Sequence, residues 1–364
     1  MKIVIVNKHL EDKTGGSELQ CDVIARELSR RGHEVFYLAM KSSGVDDGAL
    51  PYRVVPLTGD EPDVIADAIQ YLAPDLVYWR YNTYGLKRTL RQLRKAGIPV
   101  IFSVSDRNDL RRFRFDLLIP SLDPGKTLSN WQRFWQKLNN YKGLFLASGI
   151  ANQCKEFMGL VDPVPEIYFP NSMLDRSEPF EWPKPYCAWV ANLKDRKQPE
   201  AFIRLVEAWN RRNPDAEIDF LMAGEIQDRS YEWIRDKDRL PENLHYLGEL
   251  PAEKANGLIA GSLMLVHTCR PEGFPNIFIQ SWYYGRPVVS LSYDPDRFLK
   301  QERIGYHSIS ESRFLEDVSR LIEQPDLREE MGERAARFAR KQFNAETNIG
   351  RLEAFMQELA GGRS

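Results

Sequence analysis

Short apolar runs alternate with amphipathic segments along the whole chain, a pattern that predicts an α/β fold. The first apolar run, residues 2–6, is typical of a buried strand, and residues 17–31 after it repeat apolar positions at helical spacing. Residues 35–39 form a second apolar run. Because parallel strands are joined through a crossover helix, these three segments predict one β-α-β unit.

Two local signals indicate where the first helix begins and ends. Ser17 and Gln20 are three residues apart, the spacing of a capping box, in which two side chains satisfy backbone amides at the start of a helix. Gly32 follows the last helical position and predicts a left-handed C-terminal cap. The helix therefore starts next to the glycine pair Gly15 and Gly16.

The same alternation continues through both halves of the chain. In the first half we expect further strands at residues 76–79, 100–104 and 144–147 and a helix at residues 86–96. In the second half we expect strands at residues 187–190, 218–223, 244–246, 263–267 and 287–291, with helices at residues 199–210, 252–260 and 276–284. The chain therefore predicts two Rossmann-like domains, each with an open parallel sheet.

A change in composition separates these halves. Residues 169–185 are rich in Pro, Ser, Glu and Asp, as interdomain linkers are. The 364 residues suit two domains, which we place at residues 1–172 and 173–343, facing each other across a cleft. The tail has helical periodicity from residue 326 to residue 359, and its last part, residues 344–364, is expected to cross back onto the first domain.

Composition excludes several classes of protein. Hydrophobic residues make up 43% of the chain and charged residues 28%, which is ordinary for a globular protein and not for a disordered or fibrous one. No apolar run approaches the roughly 20 residues that a membrane-spanning helix needs, and the first residues lack the apolar core of a signal peptide. The sequence therefore predicts a cytoplasmic protein.

The four cysteines are scattered, with no C-x-x-C pair and no nearby histidine cluster: Cys21, Cys154, Cys187 and Cys269. This distribution favours reduced thiols over a disulfide framework. It also gives no indication of a zinc site. The cysteines therefore indicate neither a disulfide nor a zinc site.

The positive charges are concentrated in the first half of the chain. The net charge is only −2, but between Arg80 and Lys142 fourteen Lys and Arg residues stand against four Asp residues. This segment thus has an excess of ten positive charges, and the rest of the chain sums to −12. Such an asymmetry indicates an anionic partner, which could be a membrane surface, a phosphorylated acceptor or nucleic acid.

Residues 128–144 of this basic segment have the pattern of an amphipathic helix. Aromatic and aliphatic residues recur there at helical spacing, at Trp131, Phe134, Trp135 and Leu138. Packing of this apolar face on the domain core is one interpretation. The other is peripheral association with an anionic membrane that holds a lipid-linked acceptor, and both stay open.

The Gly15-Gly16 turn is a candidate phosphate site. Backbone amides can approach a ligand closely where side chains are absent, and the N-terminus of the following helix has a partial positive charge. The turn matches neither G-x-G-x-x-G nor a Walker loop, so a turn with no ligand is the competing interpretation.

A more specific signal is the run RPEGFPNIFIQ at residues 270–280, directly after a predicted strand. Gly273 permits an unusual turn and Pro275 suits the first turn of a helix, so the amides of residues 274–277 would point into the cleft. Glu272 would lie at the mouth of this turn. Gln280 would lie about one helical turn deeper, so the two side chains could contact opposite ends of one nucleotide-sugar.

Residues 272–291 resemble the signature of the retaining family 4 glycosyltransferases (glycosyl transferases group 1) of the two-domain GT-B fold, in which a Glu and a second Glu are separated by seven residues. The resemblance covers nearly the whole chain, because other segments occur in the family's order. These are Gly15-Gly16, Arg31-Gly32-His33, Pro170-Asn171, Leu247-Gly248-Glu249-Leu250 and the helical tail. It implies transfer of a sugar from a nucleotide-diphosphate sugar to the hydroxyl of a glycan or lipid-linked acceptor, as in polysaccharide or cell-envelope glycan synthesis.

The resemblance also implies roles for individual residues. Glu272 would contact hydroxyls of the donor sugar, Gln280 would face the nucleotide ribose, and the glycine turn would cover the diphosphate. The residues expected to bind the donor are Gly15, Gly16, Asn192, Leu250, Gly273, Phe274, Pro275, Asn276 and Gln280. The catalytic candidates are Glu272, Lys197 and Asp106.

The sequence departs from the family pattern at three places. An Arg and, five residues later, a Lys usually neutralise the diphosphate, but here these positions are Asn192 and Lys197, so one cation is missing. Gln280 replaces the second Glu, which keeps a hydrogen-bonding group but should weaken ribose binding by about 1 kcal/mol. Many members have a His-Asp pair after a strand of the first domain, where this chain has Ser105-Asp106.

Two residues of the first half have competing interpretations. Asp106 could touch the donor sugar or the acceptor, or could only cap a turn or helix. Arg80, after the strand at residues 76–79, could bind a phosphate of the acceptor or substrate, or could lie on a solvated basic face, which is the commoner situation for arginine.

The resemblance implies a front-face mechanism without a metal or another cofactor, in which the leaving diphosphate helps to deprotonate the acceptor. Lys197, the Gly16 amide and the helix N-terminus near Asn276 would take up the charge of the departing phosphate. The sequence Asp294-Pro295-Asp296 superficially matches a D-x-D motif, but a proline turn is the better interpretation.

Two other classes of function remain as alternatives. A catalytically silent binder of nucleotide-sugars is suggested by Asn192, Gln280 and the missing His-Asp pair. A nucleic-acid-binding protein is suggested only by the basic segment, which contains no recognisable nucleic-acid motif. We therefore expect no nucleic-acid partner.

Overall fold

The computed structural model describes residues 1–12, 15–81, 86–104, 132, 144–149, 166–173 and 177–361. The chain divides into two compact units, one of residues 1–172 with residues 345–364 and one of residues 173–344. Each unit contains a parallel sheet with helices. The predicted fold class, α/β with two Rossmann-like domains, is confirmed.

The sheet of the first unit has seven parallel strands in the order β3-β2-β1-β4-β5-β6-β7. The strands are β1 Lys2–Asn7, β2 Glu34–Met40, β3 Arg53–Leu57, β4 Leu76–Trp79, β5 Val100–Val104, β6 Leu144–Ser148 and β7 Glu166–Tyr168. The sheet of the second unit has six parallel strands in the order β10-β9-β8-β11-β12-β13. These are β8 Tyr186–Val190, β9 Asp219–Ala223, β10 Leu244–Tyr246, β11 Leu265–His267, β12 Val288–Ser290 and β13 Gly305–His307.

The helices of the first unit within the described residues are α1 Gly16–Arg30, α2 Pro62–Leu72, α3 Leu86–Lys95 and α10 Ala345–Gly361. Those of the second unit are α4 Pro199–Arg212, α5 Ala252–Gly261, α6 Asn276–Tyr283, α7 Phe298–Gln301, α8 Glu311–Glu323 and α9 Pro325–Gln342. The central strands of both sheets, such as β1, β4, β5, β9, β11 and β12, are almost wholly buried because helices cover parallel sheets, which explains their continuous apolar runs.

Side chains of β1 point alternately to the two faces of the sheet, so they belong to two different parts of the core of the first unit. Val4 and Val6 belong to an apolar cluster with Trp79 of β4 and with buried residues of α2 and α3. Ile3 and Ile5 are also fully buried, although they point to the opposite face of the sheet. Each face of the sheet therefore buries its own set of side chains.

Helix α10 is the last element of the first unit, and it packs against α1. Ile349, Leu352 and Met356 are fully buried on its apolar side. Its Glu353 accepts hydrogen bonds from Arg31 at 2.9 Å and from His33 at 2.7 Å. The chain thus completes its first unit only with its last helix.

The loops at the carboxyl ends of β8, β9 and β10 lie against one another. The Ala191 amide donates to Ala223 O at 3.0 Å, and the Gly224 amide donates to Gly248 O at 2.8 Å. Gly224 has a φ of +147°, and a Cβ there would overlap the backbone oxygen of Ala191. The close approach of these loops therefore depends on a glycine at this position.

Several local expectations are corrected by the structure. Ser17 and Gln20 form no capping box, because α1 begins earlier, with Gly15 as its N-cap. Gln20 instead forms two hydrogen bonds with the backbone of Ser172, at 2.7 and 2.8 Å. Gly32 does have the predicted left-handed conformation, with a φ of +85°.

Other differences concern whole elements. The predictions omitted β3, α2, β7, α7, β13 and α8, and the helical tail is broken into α9 and α10 by the segment 343–344. Almost all of the predicted amphipathic helix at residues 128–144, and most of the basic segment around it, lie outside the described residues, as does Cys154. Cys21, Cys187 and Cys269 are buried free thiols.

A search of the described residues for a helix that could cross a bilayer found none of sufficient length and apolarity.

We predict that Gly224→Ala destabilises the second unit by about 2 kcal/mol or more, because a side chain at this φ is strained and its Cβ overlaps Ala191. The melting temperature by differential scanning calorimetry measures the effect. Gly361→Ala is the matched control, since its Cβ would meet no atom within 4 Å. Equal melting temperatures for the two variants would contradict the prediction.

Candidate functional site

The carboxyl ends of β8 and β11 define a switch point in the second sheet. These two strands are neighbours, and the strand order runs in opposite directions on either side of them. In open α/β sheets, ligands bind in the crevice that forms outside the strand ends at such a point. The loops after β8 and β11 are therefore the first place to search for a site in this unit.

The loop after β8 contains Lys197 in a short 3₁₀ turn, Asp195–Lys197. The hydroxyl of Thr268, directly after β11, donates to the backbone oxygen of Lys197 at 2.6 Å and accepts from the Trp189 indole at 2.9 Å. Trp189 is itself buried in the core of the unit. The position of the Lys197 backbone is thus fixed by buried side chains from both neighbouring strands.

The loop after β11 contains Glu272 and is held by bonds to both of its neighbours. The Arg196 guanidinium donates to Pro271 O at 2.8 Å, and the Arg270 amide donates to Arg196 O at 3.0 Å. On the other side, the hydroxyl of Tyr293 donates to Gly273 O at 2.9 Å. These contacts join the Glu272 loop to the Lys197 loop.

Lys197 and Glu272 form an ion pair where the two loops meet. The ammonium nitrogen lies 2.8 and 3.0 Å from the two carboxylate oxygens, and each side chain is 19% exposed. Burial would raise the pKa of Glu272, but the Lys197 charge and hydrogen bond outweigh it and lower that pKa. Burial would lower the pKa of Lys197, but the attraction of Glu272 outweighs it and raises that pKa. Both groups are therefore charged at neutral pH.

His267 and Cys269 lie beside this pair, which the sequence analysis did not foresee. One ligand atom from each of His267, Cys269 and Glu272 lies within 4.8 Å of the others, the spacing of a possible metal site. Burial lowers the pKa of His267 to about 3 and raises the pKa of Cys269 to about 11. The Lys197 ammonium already supplies positive charge to Glu272, which opposes a metal cation at the same place.

The start of α6 adds backbone donors to this edge of the sheet. Pro275 is the N-cap and the helix begins at Asn276, and no side chain caps this end. The first amides of a helix have no intrahelical acceptor and lie at the positive end of its dipole. The Phe274 ring, in contrast, packs against Trp282, Phe298 and Phe343, so this side chain anchors the loop.

The remaining candidates of the second unit surround this site less closely. The Asn192 amide oxygen accepts from the Glu225 backbone at 3.4 Å, which joins the loops after β8 and β9. Leu250, after β10, packs against a small apolar cluster of the unit. Gln280 is half-buried on α6.

The candidates of the first unit lie at the carboxyl edge of its own sheet. Gly15 and Gly16 start α1, and the Glu18 carboxylate folds back over Gly15, where a Cβ would meet it. Arg80 follows β4 and is only 7% exposed, so the interpretation of a solvated basic face is wrong. Asp106 lies outside the described residues and stays a prediction.

Residues 184–324 match a protein-family model described as glycosyl transferases group 1. This region includes Lys197, Glu272 and the helix α6 that follows. A comparison with curated proteins found no match.

The chain is similar to solved structures over its whole length. Sucrose-phosphate synthase from Thermosynechococcus elongatus has a TM-score of 0.75 at 12% identity, with 100% of each chain covered. HepE of Anabaena, in complex with UDP-glucose, has a TM-score of 0.71 at 14% identity, covering 98% of this chain and 100% of that one. WaaG, a glycosyltransferase involved in lipopolysaccharide biosynthesis, has a TM-score of 0.67 at 13% identity, with 100% of each chain covered.

Two Rossmann-like units with these neighbours define the chain as a protein of the GT-B fold. Within its second unit, residues 184–324 match the group 1 glycosyltransferases, in agreement with the resemblance that the sequence motifs indicated.

We predict that the Lys197–Glu272 ion pair stabilises the second unit. Lys197→Met and Glu272→Gln should each cost about 2 kcal/mol, because each leaves a largely buried charge without its partner, and the double variant should cost less than their sum. Chemical denaturation of the four proteins measures this coupling. The matched control is the exposed pair Arg204–Glu311, for which we expect at most about 0.5 kcal/mol.

The coupling energy between Lys197 and Glu272 should decrease at both low and high pH. The pKa of Glu272 lies below its ordinary 4.5, so the stabilisation is lost as pH falls through that lowered value. The pKa of Lys197 lies above its ordinary 10.5, so the stabilisation is also lost as pH rises through that raised value. A coupling energy that changes between pH 6 and pH 9 would contradict these assignments.

Proposed function

We propose that this protein transfers a sugar from a nucleotide-diphosphate sugar to an acceptor hydroxyl and retains the anomeric configuration. The observation that carries the proposal is the buried Lys197–Glu272 ion pair at the switch point of the second sheet. It lies inside the region that matches the group 1 family, and Glu272 stands four residues before the start of α6. The ammonium and the helix start can bind the diphosphate of a nucleotide-diphosphate sugar, and the carboxylate can bind its sugar hydroxyls.

Glu272 is proposed to hold the sugar of the donor. Its lowered pKa keeps the carboxylate ionised, and an ionised carboxylate only accepts hydrogen bonds, so the partners that suit it are sugar hydroxyls. The hydrogen bonds from Lys197 leave further lone pairs on the two carboxylate oxygens for those hydroxyls. Glu272 therefore positions the donor and is not an acid in this proposal.

Lys197 and the start of α6 are proposed to stabilise the leaving diphosphate. The raised pKa of Lys197 keeps its ammonium charged, and the α6 amides add a fixed partial positive charge. Preorganised charges of this kind contribute several kcal/mol to transition states that develop negative charge. A protein cation would thereby serve the purpose that a metal ion serves elsewhere.

The proposed reaction takes place on one face of the sugar. The bond from the anomeric carbon to the diphosphate oxygen breaks, the acceptor oxygen bonds to the same face of that carbon, and the acceptor proton moves to the departing diphosphate. The products are a glycoside and a nucleoside diphosphate, so atoms and charges balance without a metal or redox cofactor. Asp106 stays a candidate for contact with the donor sugar or acceptor.

A competing proposal is a nucleotide-sugar binder without transferase activity, and the neutral residues Asn192 and Gln280 support it. With Asn192 in place of an arginine, Lys197 is the only cation of the family's usual pair. A nucleotide-sugar binder without transferase activity would bind the same ligand with the same Lys197–Glu272 pair. Transfer to an acceptor is therefore the measurement that separates the two proposals.

The proposed acceptor and its location rest on the charge of the first half of the chain. A glycan or lipid-linked acceptor, at the inner face of a membrane in cell-envelope glycan synthesis, suits the basic segment of the sequence. HepE of Anabaena was solved with UDP and with UDP-glucose, which makes UDP the first nucleotide to test. No nucleic-acid partner is proposed.

The proposal predicts that one nucleoside diphosphate stabilises the protein in a thermal-shift screen of UDP, GDP, ADP and TDP. A ligand at 100 times its dissociation constant adds about 2.7 kcal/mol of stability. Lys197→Met and Glu272→Gln should lose this stabilisation relative to their own ligand-free proteins, and Arg204→Gln, which alters an exposed pair, should keep it.

The same preparation tests transfer and its stereochemistry. Incubation with the sugar of the stabilising nucleotide and a glycan acceptor should release the nucleoside diphosphate and form a product with the donor's anomeric configuration, by NMR. A chelator such as EDTA should leave the rate unchanged. Stabilisation without transfer would support the silent binder, inversion or loss of activity with EDTA would contradict the mechanism, and the absence of any stabilisation would contradict the donor site.

Asn192→Arg should strengthen nucleotide binding, because it restores a cation near the proposed diphosphate site. An added charge-assisted hydrogen bond is worth about 1.5 kcal/mol, or roughly tenfold in the dissociation constant. Isothermal titration calorimetry with the selected nucleotide measures the change, and Asn192→Gln is the neutral control. Equal affinities for the two variants would show that position 192 does not face the diphosphate.

A further inference from the structure

Arg80 lies at the switch point of the first sheet. It directly follows β4, and its amide donates to Val6 O of β1 at 3.0 Å. The strand order reverses between β1 and β4, as it does between β8 and β11 in the second unit. Arg80 therefore occupies the position at which an open α/β sheet binds its ligand.

The guanidinium of Arg80 is buried without a counter-ion among the described residues. The residue is 7% exposed, and one terminal nitrogen donates to the Asn171 amide oxygen at 3.1 Å. Its Nε is buried and has no hydrogen-bond partner. A buried arginine that serves only the fold is expected to be paired, because an unpaired buried charge is strongly unfavourable.

Two side chains close to Arg80, Cys21 and Tyr78, are neutral at neutral pH. Burial raises the pKa of Cys21 to about 12 and raises the pKa of Tyr78, even though the Arg80 charge opposes both shifts. The buried Tyr78 hydroxyl interacts with Ser103 and with Arg80, but a neutral phenol does not balance the guanidinium charge. Arg80 Nε is thus the donor at this edge that is left without an acceptor among the described residues.

The Glu18 carboxylate, on the adjoining helix α1, lies over the start of that helix. Asn7, at the end of β1, donates to Ser17 in the first turn of α1 at 3.0 Å, so the start of this helix lies at the same edge of the sheet. There the Glu18 carboxylate folds back over Gly15 at the positive end of the helix. Among the described residues Glu18 forms no ion pair with Arg80, whose Nε has no hydrogen-bond partner.

We propose that Arg80 binds an oxyanion, a phosphate or a carboxylate, that is part of the acceptor. The inference rests on the proposed function, because it assigns the donor to the second unit and this anion to the first. A guanidinium presents a planar set of N–H donors that matches the oxygens of either group. The acceptor would then be a sugar phosphate, a lipid-linked phosphate or an acidic sugar, and a neutral sugar would bind poorly.

The direct test observes the Nε–H of Arg80 by NMR in protein labelled with ¹⁵N-arginine. The signal is assigned by its loss in Arg80→Gln, and inorganic phosphate is titrated against sodium chloride at equal ionic strength. We expect a saturable shift with phosphate and none with chloride. Arg91, exposed on α3, is the control arginine and should not respond in a saturable way. An unresponsive Arg80 signal would overturn the proposal.

Two comparisons identify the source of the anion. Glucose 6-phosphate, glucuronate and phosphatidylglycerol vesicles each present an oxyanion, whereas glucose does not. We expect at least one of the first three to shift the Arg80 signal and to bind Arg80→Gln at least about tenfold more weakly, while glucose has no effect. A shift caused by the donor nucleotide, with weaker nucleotide binding in Arg80→Gln, would assign the anion to the donor and overturn the acceptor assignment.

The stability of the empty protein separates binding from a structural role. Removal of an unpaired buried charge should leave the melting temperature of Arg80→Gln equal to or above that of the wild type. A clear decrease would make Arg80 a structural residue and overturn the proposal. Because the phosphate titration needs neither nucleotide nor transfer, it remains interpretable if the donor screen fails, so the two proposals fail separately.

Discussion

The burial of charge at the carboxyl edges of two parallel sheets is the constraint on which the rest of this structure depends. In the second unit it is met internally, because Lys197 and Glu272 neutralise each other and hydrogen bonds from Thr268 and Arg196 hold their loops in place. These contacts come from both sides of one switch point. The same strand order that forms the sheet therefore also brings the two charged groups together.

The buried charges of the two units are balanced in different ways. The pair in the second unit is balanced before any ligand arrives, so the proposed donor would share Lys197 with Glu272 and would not meet an isolated cation. In the first unit Arg80 has no such partner among the described residues, and a ligand would supply the missing charge. A balanced site favours a ligand with both polar hydroxyls and phosphates, whereas an unbalanced site favours an anion.

The sequence was sufficient for the architecture because buried parallel strands leave continuous apolar runs. The runs at residues 76–79 and 100–104 match β4 and β5, but β3 is short, partly exposed and interrupted by a proline, and it was not foreseen. At the ends of elements, local patterns were misleading. Gln20 fits a capping box by spacing, yet its amide bonds the backbone of Ser172, which is 152 residues away in the sequence and therefore invisible to local pattern.

The candidate site was predictable to a similar degree. The E-G-F-P-N run placed Glu272 beside a helix start through its local turn residues, and the resemblance drew attention to Lys197. The neighbours His267 and Cys269 come from the end of β11, where an apolar run gives no sign of chemistry, and only the fold brings them beside Glu272. Burial of Arg80 was also not predictable, because it depends on residues of β1, β4 and the segment before the second unit.

The placement of α10 has a consequence for the order in which the protein is made. The second unit is one continuous segment, so its core is complete once residue 344 has been synthesised. The first unit begins earlier but lacks α10, and with it the partner of Arg31 and His33, until residues 345–361 have been synthesised. Domains usually fold as units during synthesis. In this chain the unit that starts first is the one that is finished last, and a ribosome that stops early would release a complete second unit attached to an unfinished first one.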